Sequence, residues 1–168
     1  MEMMADGTLF DRLQSGDVQP LGESRFLLVE FDPLDSSEWC AAATEHIRKI
    51  AVCWPLIADT RSGISQFCLK ANLGARSCDR AGAVLQVTRS GIFGAFGRRA
   101  AETARVLLER DLAFCVASDG HGTVYRRPIL EDVNAWLAEH FGAAYAERML
   151  HENPRRILSG EAGKERIA

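Results

Sequence analysis

The sequence predicts an α/β domain built on a parallel sheet, and three observations predict it. Four apolar runs of strand length recur along the chain, at Arg25–Phe31, Ala51–Ala58, Ala83–Thr88 and Leu112–Ser118. Segments of helical period separate or follow them, and strands that alternate with helices pair in parallel through crossovers. The runs are also near-continuously apolar rather than alternating, the pattern of strands buried on both faces.

Each element has its own signal. Thr8–Ser15 forms a short helix with Leu9, Phe10 and Leu13 on one side. Arg25–Phe31 is the first strand, ended by Asp32-Pro33, and Ser36 or Ser37 caps a helix over about Glu38–Lys49. Ala51–Ala58 is the second strand, where Pro55 argues for an early bulge or a sheet edge because proline cannot donate to the ladder. A helix over Ile64–Leu73 and the strand Ala83–Thr88 follow. Gly91, Gly94 and Gly97 lead into a helix over about Arg98–Arg110, with Ala101, Ala104, Leu107 and Leu108 as its apolar face. The fourth strand precedes helices over about Leu130–Phe141 and Ala143–Leu150. Asn153-Pro154 then punctuates, Ile157-Leu158 docks the end, and residues 161–168 form a polar tail expected to fray.

Composition narrows the classes. The 168 residues suffice for one domain with a substantial core, here taken as residues 1–160. A net charge of -3 gives no global field for nucleic acid. No apolar stretch reaches bilayer-spanning length, and the N-terminus lacks a basic n-region, so neither membrane insertion nor a signal peptide is expected. Five cysteines, an odd number with no Cys-x-x-Cys spacing, read as a reducing, cytoplasmic setting. None is followed by arginine at the Cys-x5-Arg spacing, which excludes thiolate-based phosphatase chemistry.

The chemistry concentrates in Leu112–Arg127. An apolar run breaks into Ser118-Asp119-Gly120-His121-Gly122, placing a carboxylate and an imidazole at one strand tip, where barrel-like α/β folds carry their sites. Both side chains ligate Zn, Mn or Fe. Arg126 and Arg127 follow, and a guanidinium can grip phosphate bidentately. Read more plainly, the same residues make a strand-to-loop turn with Asp119 as a cap and His121 on the surface. Asp59 ends a strand and is either a ligand or a loop cap. Gly91-x-x-Gly94-x-x-Gly97 matches no nucleotide fingerprint and reads mainly as tight strand–helix packing, with phosphate binding as a weaker alternative. His46, His140 and His151 lie beside charged residues on helices and are expected at the surface.

From Glu2 to about Gly160 the chain resembles the second part of the bacterial tyrosine phosphatases of the polymerase and histidinol phosphatase (PHP) superfamily, encoded with capsule and exopolysaccharide genes. The resemblance rests on Gln86-Val-Thr88 through Gly94-Ala-Phe-Gly97, on Ala117-Ser-Asp-Gly-His121 with Arg126, on Asn153-Pro154 with Ile157–Gly160, and on Leu27–Phe31. Glu2, shortly before Gly7 and Leu9-Phe10, lines up with the family's metal-binding glutamate. It implies a partial, distorted, parallel β/α barrel of PHP, TIM-like type, lacking its N-terminal strands. It implies a three-metal cluster, Mn foremost with Zn or Fe as alternatives, that activates water. Asp119 and His121 would ligate metal, Glu2 would bridge, Arg126 would hold phosphate, and Arg61 is a weaker phosphate candidate. The implied substrate is a phosphotyrosine protein, a tyrosine kinase of polysaccharide export.

Two departures bear on this. The family's opening His-x-His strand and a later histidine site are absent, and its Ala-His-Pro-Glu-Arg motif reads Ala58-Asp59-Thr60-Arg61-Ser62, with Asp59 in the histidine's place. Asp59 can still ligate Mn or Fe. With fewer donors the chain is expected to hold metal weakly. The alternative function is a non-catalytic remnant, or an interaction subunit binding a partner through its open half-barrel. An uncovered sheet edge of that kind also predicts self-association.

Overall fold

The computed structural model describes residues 3–4, 7–22, 24, 26–30, 39, 42–43, 45, 47, 54–59, 84–124 and 127–161. The expected helix over Ile64–Leu73, the Arg61, Arg126 and Glu2 assignments, and the polar tail beyond Glu161 lie outside them.

Among the described residues five strands form one sheet in chain order, β1 (Met3–Met4), β2 (Phe26–Glu30), β3 (Trp54–Asp59), β4 (Val84–Thr88) and β5 (Cys115–Ala117), with every neighbouring pair parallel. The apolar runs predict four; β1 is the addition, its two residues being too few for an apolar pattern to register. The fourth strand is also shorter than Leu112–Ser118, although Phe114 N–H already donates to the Leu85 carbonyl at 2.8 Å.

Pro55 does not mark an edge or a bulge. β3 is the central strand, and its register against β2 runs from Phe26↔Trp54 to Val29↔Ile57 without a skipped residue. The ladder to β4 begins at Leu56↔Val84, one residue past the proline. The missing N–H thus falls at the start of the strand, where a proline is tolerated.

The two sheet faces are unequal. Leu27, Val29, Leu85, Val87 and Val116 point into the larger core, which α1 (Gly7–Ser15), helical residues Ala43 and Ile47, and residues of the later helices from Ile92 to Leu150 cover. Phe26, Val84 and Cys115 belong to a second cluster, where Phe114 and Ile157 join them. Among the described residues, the helical segments that follow β1, β2 and β4 thus cover one face, as crossovers of one hand between sequence-adjacent parallel strands produce.

After β4, Thr88 caps a short helix, α2 (Arg89–Ile92), its Oγ1 accepting from Gly91 N–H at 3.1 Å. Gly94 and Gly97, with φ of 76° and 94°, turn the chain into α3 (Arg98–Glu109). Only glycine takes such angles without strain, so Gly94 and Gly97 serve the turn rather than the expected tight packing: a Cβ on Gly97 would meet nothing within 4 Å. The α3 face is Ala100, Thr103, Ala104, Leu107 and Leu108; Ala101, expected there, is only half-buried. α3 ends in a Schellman pair, Asp111 N–H to the Leu108 carbonyl and Leu112 N–H to the Leu107 carbonyl. Asp111 takes the left-handed position (φ 52°), with its carboxylate on Arg148 at 2.8 Å.

The last helices depart most from expectation. α4 (Glu131–Phe141) and α5 (Ala143–Glu147) continue through a π turn (Arg148–Glu152) into α6 (Asn153–Leu158). Pro154 has no N–H for the Leu150 carbonyl and its ring crowds that oxygen. The backbone widens instead, with Asn153 N–H donating five residues back to Arg148, so the proline passes without ending the helix. The buried Asn153 side chain donates through Nδ2 to the Phe114 carbonyl at 2.7 Å, tying α6 to the base of β5. His140 and His151 are exposed as expected; His46 lies outside the described residues.

Two stability outcomes follow. Asn153→Ala should cost about 1–3 kcal/mol, because it removes a buried side-chain hydrogen bond to the Phe114 carbonyl; denaturant melts read it directly. Burial pushes the Cys115 thiol from 9.0 up to about 12. Above the unfolded thiol's range the unfolded chain sheds a proton that the folded chain keeps, so stability falls as pH rises from 9.0 to about 12. Tyr145 contributes similarly over 10.0 to about 12, through burial first and Asp111 second. Cys115→Ala should therefore show a smaller drop in urea midpoint than the natural chain between neutral pH and about pH 10.5.

Candidate functional site

Because every strand runs the same way, their C-terminal ends share one edge of the sheet. Asp59, the last residue of β3, is level with Val87 and, through it, Val116. Thr88 pairs with Ala117, and two residues beyond Ala117 stands Asp119. Asp119 and His121 thus emerge at the edge where Asp59 ends.

Asp119 adopts φ 53°. Aspartate tolerates the left-handed region better than most residues, at a cost on the order of 1–2 kcal/mol. The conformation turns its carboxylate inward, leaving that side chain only 5% exposed at the mouth of the sheet, while the His121 side chain is 52% exposed. The His121 ring folds back so that Nδ1 lies 3.0 Å from the Asp119 carbonyl oxygen and 3.4 Å from Oδ1. A carbonyl only accepts, so the bond puts the ring proton on Nδ1. In a neutral ring that arrangement leaves the lone pair on Nε2, the form that ligates metals.

The loop is held by a close approach. A Cβ on Gly120 would meet Pro128 Cβ at 3.0 Å and its Cα and N at 3.1 Å. Two of those atoms are backbone and cannot turn aside. A side chain at 120, between the two candidate ligands, would therefore have to push Pro128 back by a few tenths of an ångström.

Among the described residues, no third His, Cys, Asp or Glu joins this pair in a group able to hold a metal ion. The structure therefore brings together Asp119 and His121 of the predicted set. It places the backbone of Asp59 at the same edge, and the Asp59 side chain, Glu2, Arg61 and Arg126 lie outside the described residues. The donor chemistry fits a hard or borderline divalent ion, since a buried carboxylate and an Nε2-directed imidazole are both ligands for it; two donors alone do not complete a coordination shell. Cys115, directly below in β5, is not a nucleophile: its thiol is buried and held protonated.

One feature of the edge escaped the sequence reading. Arg89, the residue after β4, forms a forked ion pair with Asp132 on α4, Nε to Oδ1 at 2.7 Å and Nη2 to Oδ2. The partners are 43 residues apart, and only Asp132's place in an acidic first helical turn hinted at a role.

Gly120→Ala should displace Asp119 and His121 together without touching either side chain. The expected result is a changed His121 ring-proton environment by NMR with the secondary structure retained by circular dichroism; an unchanged ring signal would show that Pro128 yields.

Comparison with known proteins places these features. The family described as capsular polysaccharide synthesis, CpsB/CapC, matches residues 1–159. The tyrosine-protein phosphatase CpsB of Streptococcus pneumoniae is 26% identical over 155 residues, covering 88% of this chain and 62% of the relative. The chain thus spans about 62% of the length of the curated relative it matches. A chain from the crystal structures of YwqE from Bacillus subtilis and CpsB from Streptococcus pneumoniae, described as unique metal-dependent tyrosine phosphatases, superposes with a TM-score of 0.75 at 21% identity, over 92% of this chain and 61% of that one. The fold is shared with those structures, and the chain belongs to the CpsB/CapC family of capsular polysaccharide synthesis.

Proposed function

We propose that the chain carries part of the catalytic apparatus of a metal-dependent protein-tyrosine phosphatase acting in capsule or exopolysaccharide synthesis, in the cytoplasm. The observation that carries this reading is the buried Asp119 carboxylate with an Nε2-directed His121 at a parallel-sheet edge, in a chain akin to a tyrosine-protein phosphatase. Among the described residues, five parallel strands in chain order, with α1, α3 and α4 packed on one face, support the finer fold reading of a partial PHP-type barrel wall.

Asp119 and His121 would hold a divalent ion, Mn foremost with Zn or Fe as alternatives, together with Glu2 and Asp59. Such an ion, when bound, supplies Lewis acidity and lowers the pKa of water. Arg126, and more weakly Arg61, would grip the phosphate through their forked N–H donors and oppose its charge as the ester cleaves. The phosphotyrosine substrate fits a kinase of polysaccharide export. Asp119 is fixed before substrate arrives, since its backbone is already in the left-handed turn that buries the carboxylate.

A second reading has its own observation. Asp59 stands where the family motif has histidine, and only two donors meet among the described residues. A chain of this kind would bind a partner, or a second copy, through the strands at the ends of the described sheet, β1 and β5, rather than hydrolyse a phosphate ester. Among the described residues no helix is long and apolar enough to cross a membrane.

The two readings part in one experiment. With Mn supplied, the phosphatase reading predicts hydrolysis of a phosphotyrosine peptide that EDTA abolishes. His121→Ala should remove both metal binding by calorimetry and turnover, whereas Arg126→Ala should lower turnover by about tenfold or more and leave metal affinity intact. A folded, Mn-loaded chain silent toward phosphotyrosine, sedimenting as an oligomer, would favour the second reading. Chelator-resistant hydrolysis would overturn the metal reading.

A further inference from the structure

The segment that carries Asp119 and His121 leaves β5 after Ala117 and ends at Leu130, where α4 begins. Most of its described residues are exposed or half-buried, and the first, Ser118, follows a strand only three residues long. A segment so placed depends on what fixes its ends. Its interior has the Gly120–Pro128 approach and one short turn, Ile129 N–H to the Arg127 carbonyl at 2.8 Å. Its far end has the Arg89–Asp132 fork.

We propose that Arg89 and Asp132 are positioning residues, a clamp that ties the end of the Asp119–His121 segment back to the tip of the neighbouring strand β4. The functional consequence rests on the metal-site reading above; the clamp itself does not. Arg89 follows Thr88, which pairs with Ala117, so the guanidinium starts from the same edge that Asp119 leaves. Asp132 is in the first turn of α4, two residues past the segment's end. The loop between them is closed at both ends on adjacent strand tips.

Both groups are held for this task. The Arg89 guanidinium also lies 5.5 Å from the Phe93 ring centroid, an additional attraction that fixes its plane. Asp132 Oδ1 accepts from Val133 N–H at 2.8 Å, which orients the carboxylate from behind. The planar fork matters more than the charge: two parallel N–H donors fix direction as well as distance, which a lysine ammonium cannot do. Asp132 also occupies the donors that a phosphate would need, so Arg89 is committed to the loop rather than to the substrate.

The test uses the full chain without metal, then with Mn. Single variants Arg89→Lys and Asp132→Asn should raise amide exchange at Ile129 and Leu130 by about fivefold, and should shift the His121 ring protons, with the denaturant midpoint hardly changed. The swap Arg89→Asp with Asp132→Arg should restore both signals. Mn affinity should fall and recover in the same order. Altered exchange and ring shifts with no Mn binding in the natural chain would uphold the clamp and sink the metal reading. Unchanged exchange in the single variants would overturn the clamp. So would tighter binding of inorganic phosphate by Asp132→Asn at unchanged exchange, which would make Arg89 an anion ligand.

Discussion

The pairing of β4 with β5 is the contact on which the site depends. It begins with Phe114 N–H on the Leu85 carbonyl and runs through Gln86↔Cys115 to Thr88↔Ala117. Every residue of β4 is buried, so a slip of one position would turn apolar side chains to the wrong face. That cost fixes the register, and the register fixes where Asp119 and Arg89 emerge. Asn153 secures the strand's lower end from α6, and the Arg89–Asp132 fork secures the loop beyond its upper end. The strand between them is only three residues long.

Strain and burial at the upper end have a common sense. A non-glycine residue in the left-handed region persists only where the surroundings over-determine it. At Asp119 they do: Ala117 is paired, Gly120 lies against Pro128, and the His121 ring closes onto the Asp119 carbonyl. The result is a carboxylate turned away from solvent beside a half-exposed imidazole whose Nδ1 is taken up by the Asp119 carbonyl. Asp111 shows the same backbone angle used structurally, as the αL residue of a Schellman cap tied to Arg148. The two aspartates differ in exposure, which separates a cap from a candidate ligand.

What could be read from the sequence follows from the range of each signal. Helices with a strong apolar period, such as that with Leu107 and Leu108, and buried strands such as Val84–Thr88 announce themselves locally. β1 did not, because two methionines carry no pattern and pairing with Val29 and Glu30 defines them. Pro55 and Pro154 misled for one reason. A proline removes a local hydrogen bond, but whether that matters depends on the neighbour, which the sequence does not display. The Asp-x-His pair was legible because both residues sit on one short turn. The Gly120–Pro128 contact and the Arg89–Asp132 fork were not, since each is made by folding distant or looped-back residues together.

In the proposed site, Asp119 and His121 would be two ligands of one metal ion at the C-terminal edge of the sheet. Anomalous diffraction from crystals grown with Mn, recorded on both sides of the Mn absorption edge, tests it most directly. The account predicts an edge-dependent peak at coordinating distance from both the Asp119 carboxylate and His121 Nε2, with Nδ1 still on the Asp119 carbonyl. A well-ordered His121 with no such peak, or a peak whose ligands include neither residue, would contradict it.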